Sequence, residues 1–169
     1  RAIIATGSSS TSIPGFEPDG SQVISSTEAL ALRETPKSMI VIGAGYIAME
    51  LGMMYAKLGT KVIMIARSVL ASQLDRDVLE PVYAKMKELG IELYEGTTPE
   101  RIQKGDFKAT VFVNSKEKGH VALEAEKVLI AIGRKPNSEK LGLEKTRVQL
   151  DEKGFIKVDA QRKTTDHNI

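Results

Sequence analysis

The chain has 169 residues, enough for one substantial core, and its 41% hydrophobic and 27% charged residues describe a globular protein, not a disordered or fibrous one. Lys+Arg 24 against Asp+Glu 22 leaves a net charge of only +2, so neither nucleic acid nor an anionic membrane is expected as a partner. The absence of cysteine excludes a disulfide framework, a thiolate metal site and a redox thiol, and His120 and His167 lie too far apart in sequence to predict a metal centre.

The apolar run Ala2-Ile3-Ile4 predicts a strand already under way at the start, and residues 164–169 stop without a polar tail; both ends predict a piece of a longer chain, the alternative being a complete protein that has been processed. No signal or targeting segment opens the sequence, no apolar run approaches the roughly 20 residues of a membrane span, and a cytoplasmic location is expected. Residues 7–22 read as a loop, from Pro14-Gly15, Pro18 and Asp19-Gly20. Residues 26–32 predict a short helix capped by Ser25 or Ser26 and ended by Pro36. Residues 39–42 predict a strand buried on both faces, 47–58 a helix stopped by Gly59, and 61–65 a second buried strand. Residues 75–89 predict an amphipathic helix with Leu79, Val82, Met86 and Leu89 on one side, its regular part starting at Pro81 and its stop at Gly90. A third strand is predicted at 91–94, a hairpin at 109–113 and 120–124 around a polar turn, a strand at 127–132, and a short strand at 155–158. The order β-α-β-α-β, meander, β predicts an α/β fold: a Rossmann-like doubly wound parallel sheet with an antiparallel meander insertion.

The stretch Gly43-Ala44-Gly45-Tyr46-Ile47-Ala48 follows a buried strand and opens a helix, with a second strand about 20 residues on, the context that a dinucleotide fingerprint requires. Gly43 permits the tight turn, Gly45 lets a pyrophosphate approach the backbone, and Ala48 lets the helix pack close to the strand. The phosphates would then rest on free N–H groups at the positive end of the helix. The alternative is a glycine turn that holds no ligand.

The second strand ends in Ala66-Arg67-Ser68. An NAD site usually has Asp or Glu there to accept from the ribose 2′-OH. Here the acid is absent and a guanidinium able to grip a 2′-phosphate follows at once, which favours NADP over NAD. Arg67 as a plain solvated loop residue is the other reading.

These residues resemble the flavin-dependent pyridine nucleotide–disulfide oxidoreductases. Ile3-Ile4-Ala5-Thr6-Gly7-Ser8 with Ile13-Pro14-Gly15, Ser26-Thr27-Glu28-Ala29-Leu30, the Gly43–Glu50 fingerprint and Ile130-Ala131-Ile132-Gly133-Arg134 with Pro136-Asn137 match that family in order. Gly154-Phe155-Ile156-Lys157-Val158-Asp159 and residues 164–169 resemble the lead-in to its second FAD-binding motif. Leu141-Gly142-Leu143-Glu144 looks most like the dihydrolipoamide dehydrogenase branch, whereas Ala66-Arg67-Ser68 looks more like the NADPH-using mercuric and glutathione reductases.

The resemblance implies that residues 25–133 are the central NAD(P)-binding domain, and that 1–24 and 134–169 belong to the FAD domain of a longer enzyme. It implies that Tyr46 lids the flavin, that Glu50 meets the nicotinamide carboxamide, and that Gly133 offers backbone near the cofactor. The plainer readings are that Tyr46 packs at the helix start and that Glu50 is a first-turn acid favoured by the dipole. The full-length enzyme would pass a hydride between NAD(P)H and FAD and act as a homodimer. Its redox cysteines and its His-Glu acid/base pair would lie outside this chain, leaving no catalytic residue here and the isolated chain inactive. Two further readings stand beside this one: a Rossmann module that senses a dinucleotide without chemistry, and a small dehydrogenase using Tyr83 and Lys87, which have Tyr-x-x-x-Lys spacing but follow no suitable strand.

Overall fold

The computed structural model describes residues 1–72 and 74–169. In chain order the elements are β1 (Ser8–Ser10), β2 (Val23–Ile24), α1 (Ser26–Ala31), β3 (Ser38–Ile42), α2 (Tyr46–Lys57), β4 (Lys61–Ile65), α3 (Arg76–Glu88), β5 (Glu92–Tyr94), β6 (Thr97–Lys104), β7 (Ala109–Ser115), β8 (Gly119–Ala125), β9 (Lys127–Ile130), β10 (Arg134–Pro136) and a 3₁₀ turn at Leu143–Lys145. They fall into two compact units: Ser12–Gly133, and the segments Arg1–Thr11 and Arg134–Ile169 together.

The unit Ser12–Gly133 is a Rossmann-like doubly wound α/β structure with a meander insertion. Its five-stranded sheet has the order β2-β9-β3-β4-β5, every neighbour parallel. The strand runs are almost wholly apolar because both faces are covered. Met39, Val41, Val62, Met64 and Leu129 pack with Ala48, Leu51, Tyr55, Leu79 and Met86 of the helices. The alternate residues Ile40, Ile42, Ile63, Ile65, Val128 and Ile130 pack with Ala109, Val111, Val113, Leu123 and Ala125 of the antiparallel meander β6-β7-β8. Burying one large aliphatic side chain is worth about 1.5–3 kcal/mol, so a one-residue slip of any central strand would exchange its two packed faces at large cost.

The short α1 is started by side chains. Ser25 Oγ accepts from the Thr27 N–H at 3.1 Å, and Glu28 Oε2 accepts from the Ser25 N–H at 2.7 Å. Such a cap contributes about 1 kcal/mol. The Ser25 hydroxyl and N–H hold the Glu28 carboxyl below its ordinary range.

Several expectations need correction. No strand forms across residues 2–6, where Ile3 is exposed. A ladder needs a continuous partner, and here the backbone bond is the isolated one from Ala2 N–H to Asn168 O at 2.7 Å. The helix α3 is regular from Arg76, with Pro81 inside it. The proline deprives only the Asp77 carbonyl of its helical donor, and both residues are exposed, where water can serve instead. The strand β6 was not expected, because Thr97-Thr98-Pro99-Glu100-Arg101 is polar and carries a proline. It is the edge of the meander, and the register against β7 skips Glu100 between Pro99 and Arg101. The hairpin strands run on to Ser115 and from Gly119, leaving a three-residue turn. The strand β9 stops at Ile130, two residues early.

In the unit of Arg1–Thr11 and Arg134–Ile169, β1 pairs antiparallel with β10. Arg134 donates from Nε to Ser8 Oγ at 2.8 Å and from Nη2 to Ser8 O at 2.6 Å, and Asn137 Nδ2 donates to Thr6 O at 3.0 Å. The expected strand at 155–158 is reduced to an isolated bridge between Leu150 and Ile156. The Asp151 carboxylate takes the Lys153 and Phe155 N–H groups, each at 2.8 Å, and bends the chain where a ladder would begin.

Candidate functional site

The carboxyl edge of the parallel sheet carries the candidate site. From β3 the chain winds one way through β4 and β5, then returns to lay β9 on the other side of β3. The turns leaving β3 and β9 therefore diverge, which opens a crevice at the switch point. Gly43 stands at its floor with φ +146°, and a Cβ there would lie 2.2 Å from the Ala131 carbonyl oxygen. Only glycine fits. The strand ends are held together beyond the ladder proper: Gly43 N–H donates to Ile65 O at 2.9 Å, and Ala131 N–H to Ile42 O at 2.8 Å.

Gly45 has a different reason to be glycine. It is the N-cap of α2 with an ordinary φ of −90°, and a Cβ on it would meet nothing within 4 Å. The N–H groups of Tyr46, Ile47 and Ala48 lie in the first helical turn, where no intrahelical acceptor exists. No side chain caps that turn and no acid stands in it. The result is a donor-rich, positive helix end beside open space, which suits an anion. Ala48 is fully buried, and its Cβ lies 3.4 Å from the Cβ position built on Gly43. Ala44 and Ile47 are half-buried, Tyr46 is 63% exposed, and Glu50 is exposed on the second turn, not the first as the dipole reading expected. Gly133 is exposed two residues beyond Ala131.

At the end of β4, Ala66 is fully buried while Arg67, Ser68 and Val69 are exposed, and Leu70 is buried again. Ala66 N–H donates to Tyr94 O at 2.9 Å and Ala66 O accepts from the Thr97 N–H at 3.0 Å. Leu70 N–H donates to Glu95 Oε1 at 2.7 Å. Ala71, buried at a left-handed φ of +41°, donates its N–H to Ala44 O at 2.7 Å. That bond brings the 66–71 loop against the glycine turn. No salt bridge found among the described residues involves Arg67.

The sequence reading missed Glu95 and Ala71, and it quoted Ala131 only within a matched stretch, giving its carbonyl no role. Of the two missed residues Glu95 alone left a trace, as an acid just beyond the carboxyl end of a parallel strand, where functional side chains gather. Its carboxylate also accepts from the Tyr83 hydroxyl at 2.5 Å. Burial first, and then this carboxylate, push the Tyr83 phenol up to about 12. Tyr83 is thus committed to Glu95, and the Tyr83–Lys87 pair does not form an acid/base unit at the crevice. His120 is exposed, 3.2 Å from Glu100, and His167 is exposed. Among the described residues no group of three His, Cys, Asp or Glu could hold a metal, and no helix is long and apolar enough to cross a membrane.

A sequence model of the family described as pyridine nucleotide-disulphide oxidoreductase matches residues 1–169. A dihydrolipoyl dehydrogenase of Staphylococcus aureus is 38% identical over 173 residues, covering 100% of this chain and 36% of the relative. A mercuric reductase of Bacillus cereus is 41% identical over 174 residues, covering 100% of this chain and 27% of the relative. Among solved structures, the HOCl-induced flavoprotein disulfide reductase RclA from Escherichia coli superposes with a TM-score of 0.82 at 28% identity, over 96% of this chain and 37% of that one. The chain spans about a third of the length of the curated relatives it matches.

Proposed function

This chain belongs to the pyridine nucleotide-disulphide oxidoreductase family, and on that premise we propose that residues 25–133 bind a nicotinamide dinucleotide and present its nicotinamide to a flavin. The observation that carries the proposal is the glycine-capped, acid-free N-terminus of α2 beside open space at the switch point. The backbone N–H groups from Ala44 through Ala48 hold the pyrophosphate, on the turn that Gly43 makes possible. Tyr46, exposed at the helix start, lids the flavin edge, Glu50 meets the carboxamide, and Gly133 offers backbone beside the ring. The bound groups supply hydride exchange between nicotinamide and flavin, with electrons passed on to a disulfide. This chain's residues bind and orient, and none is proposed to break or make those bonds.

On this proposal the flanking segments belong to an FAD domain, with the first ending at Thr11 and not at the expected residue 24, because β2 pairs with β9 in the parallel sheet; a full-length homodimer of dihydrolipoyl dehydrogenase type carries the disulfide chemistry. The family match through residues 1–169, rather than through the parallel sheet alone, supports an enzyme over a dinucleotide-sensing module. A second reading, an NADPH-dependent enzyme of the mercuric or glutathione reductase kind, is favoured by the missing acid at Ala66 and the exposed Arg67. Calorimetric titration of NADPH and NADH into the chain tests both readings. We expect NADPH to bind more tightly and the purified chain to show no flavin absorbance. Equal affinities would remove the 2′-phosphate argument, and no binding of either would remove the assignment of the crevice.

A further inference from the structure

Between the buried ends of the loop that leaves β4, three consecutive residues, Arg67, Ser68 and Val69, are exposed. A guanidinium can discriminate a phosphate from a hydroxyl only if the backbone beneath it holds still, because a mobile clamp spends its contact energy on becoming ordered. The tip itself supplies little order: among the described residues its side-chain bond is Ser68 Oγ to Val69 O at 3.4 Å, a long one. The order is imposed from outside, and mostly by one segment. Tyr94 and Thr97 take both backbone groups of Ala66, and the side chain between them in sequence, Glu95, takes the N–H of Leu70. The bracket therefore closes on both sides of the exposed tip.

We propose that Glu95 is a positioning residue that sets nucleotide selectivity by pinning Leu70 and thereby fixing the Arg67 tip. The role rests on the reading that this crevice binds a dinucleotide. Glu95 suits it in two ways. One carboxylate oxygen accepts from the Leu70 N–H at 2.7 Å, and the Tyr83 hydroxyl of α3 donates to the same oxygen. The carboxylate is thereby anchored to the helix layer, so the pin has a rigid base. The loop's last tie, from Ala71 to Ala44, keeps the far end in a left-handed conformation that alanine adopts only when its surroundings require it.

Positioning and simple charge predict opposite signs. If Glu95 acted merely as a negative charge near a bound 2′-phosphate, removing it would improve NADPH binding. If it holds the tip, Glu95→Ala releases Arg67 and weakens NADPH by about 10-fold, while NADH, which makes no 2′-phosphate contact, changes by less than about 2-fold. Glu95→Gln keeps an oxygen that can accept from Leu70 and retains most of the preference. Tyr83→Phe leaves the Leu70 bond in place while freeing the carboxylate from α3, and so keeps more of the preference than Glu95→Ala does.

The test is titration of NADPH and NADH into the wild type and these three variants, together with amide hydrogen exchange at Leu70 in the nucleotide-free protein. Slow exchange at Leu70, accelerated in Glu95→Ala and preserved in Glu95→Gln, with selectivity lost only in Glu95→Ala, is the expected result. Several results overturn the role: a preference that is unchanged or raised in Glu95→Ala, or a loss in Tyr83→Phe equal to that in Glu95→Ala. Wild-type exchange at Leu70 as fast as at residues 67–69 overturns the pin without recourse to any variant. A wild type that binds neither nucleotide sinks the crevice assignment and the selectivity role with it; a wild type that prefers NADPH, with the preference intact in Glu95→Ala, sinks the role of Glu95 alone.

Discussion

The two ends of the crevice are built from different materials. At the β3–α2 turn the working groups are backbone N–H donors, and side chains matter mainly by being absent: Gly43 because the Ala131 carbonyl occupies its Cβ position, Gly45 because the space beside it is open. At the end of β4 the working groups are side chains, Arg67 and Ser68, displayed on a loop that Tyr94, Glu95, Thr97 and Ala44 hold in place. On the proposed function, backbone donors would bind any pyrophosphate alike, so the first end would confer affinity for dinucleotides as a class. Side chains can be exchanged without disturbing the sheet, so the second end would be where one dinucleotide is told from another.

The glycines allow the sharpest break in this comparison, since they serve the same turn for different reasons. Gly43→Val must leave a positive φ or drive its Cβ into a backbone carbonyl of β9's extension. We expect a loss of about 4 kcal/mol of stability, read as a shift in denaturant midpoint. A stability within experimental scatter of the wild type would contradict the close approach. Gly45→Val sits at an ordinary φ in open space, so stability should change by less than about 1 kcal/mol. Its branched side chain would fill the place of the pyrophosphate, and calorimetry should show at least about a 100-fold loss of affinity for both nucleotides. A folded variant with undiminished affinity would move the pyrophosphate elsewhere.

What could be read from the sequence follows the same division. The strands β3 and β4 and the helix α2 were legible because two-sided burial demands unbroken apolar runs, and the glycines mark a turn that no other residue fits. Ala66 and Arg67 were legible as residue types in a known place. Glu95 was not, because its proposed role depends on a bond to Leu70, 25 residues away in sequence. No local pattern encodes that pairing. The strand β6 escaped for a related reason: an edge strand buries little, so Thr98, Glu100 and Arg101 carry no apolar period. In the segments outside Ser12–Gly133 the chain is shaped by Asp151, Asp159 and Asp166, whose carboxylates collect nearby N–H groups. Such turns can overrule strand propensity, as they do at Phe155.

A smaller effect than the glycine changes is expected when the ribose end is inverted. Arg67→Glu replaces the one exposed cation of the tip with the acid that NAD sites commonly use. The NADPH-to-NADH affinity ratio should fall by about 30-fold and reverse in sign of preference, through the loss of a charge-assisted contact and the gain of repulsion. Stability should hardly move, because the side chain is exposed. Titration of both nucleotides into the variant checks this, and a ratio equal to that of the wild type would reduce Arg67 to a solvated loop residue.

The smallest expected effect concerns pH, and it separates the two ends by their scaffolds. The β3–α2 turn is held by backbone alone and contains no titrating support. The β4 loop leans on Glu95, whose partner Tyr83 has its phenol pushed up to about 12 by burial and by that carboxylate, from an ordinary 10.0. The folded state thus favours the neutral phenol. Its contribution to stability is complete below pH 10 and is lost as pH rises toward the folded value. Phenolate absorbance should show a tyrosine ionising near pH 12 that Tyr83→Phe removes. Tyr55, also raised by burial, keeps its own late step in the variant. Stability measured from pH 9 to 12 should fall less steeply in Tyr83→Phe than in the wild type, because the variant has one fewer group whose ionisation opposes folding. Identical slopes would mean that Glu95 does not hold the Tyr83 proton, and that the β4 loop rests on its backbone as the glycine turn does.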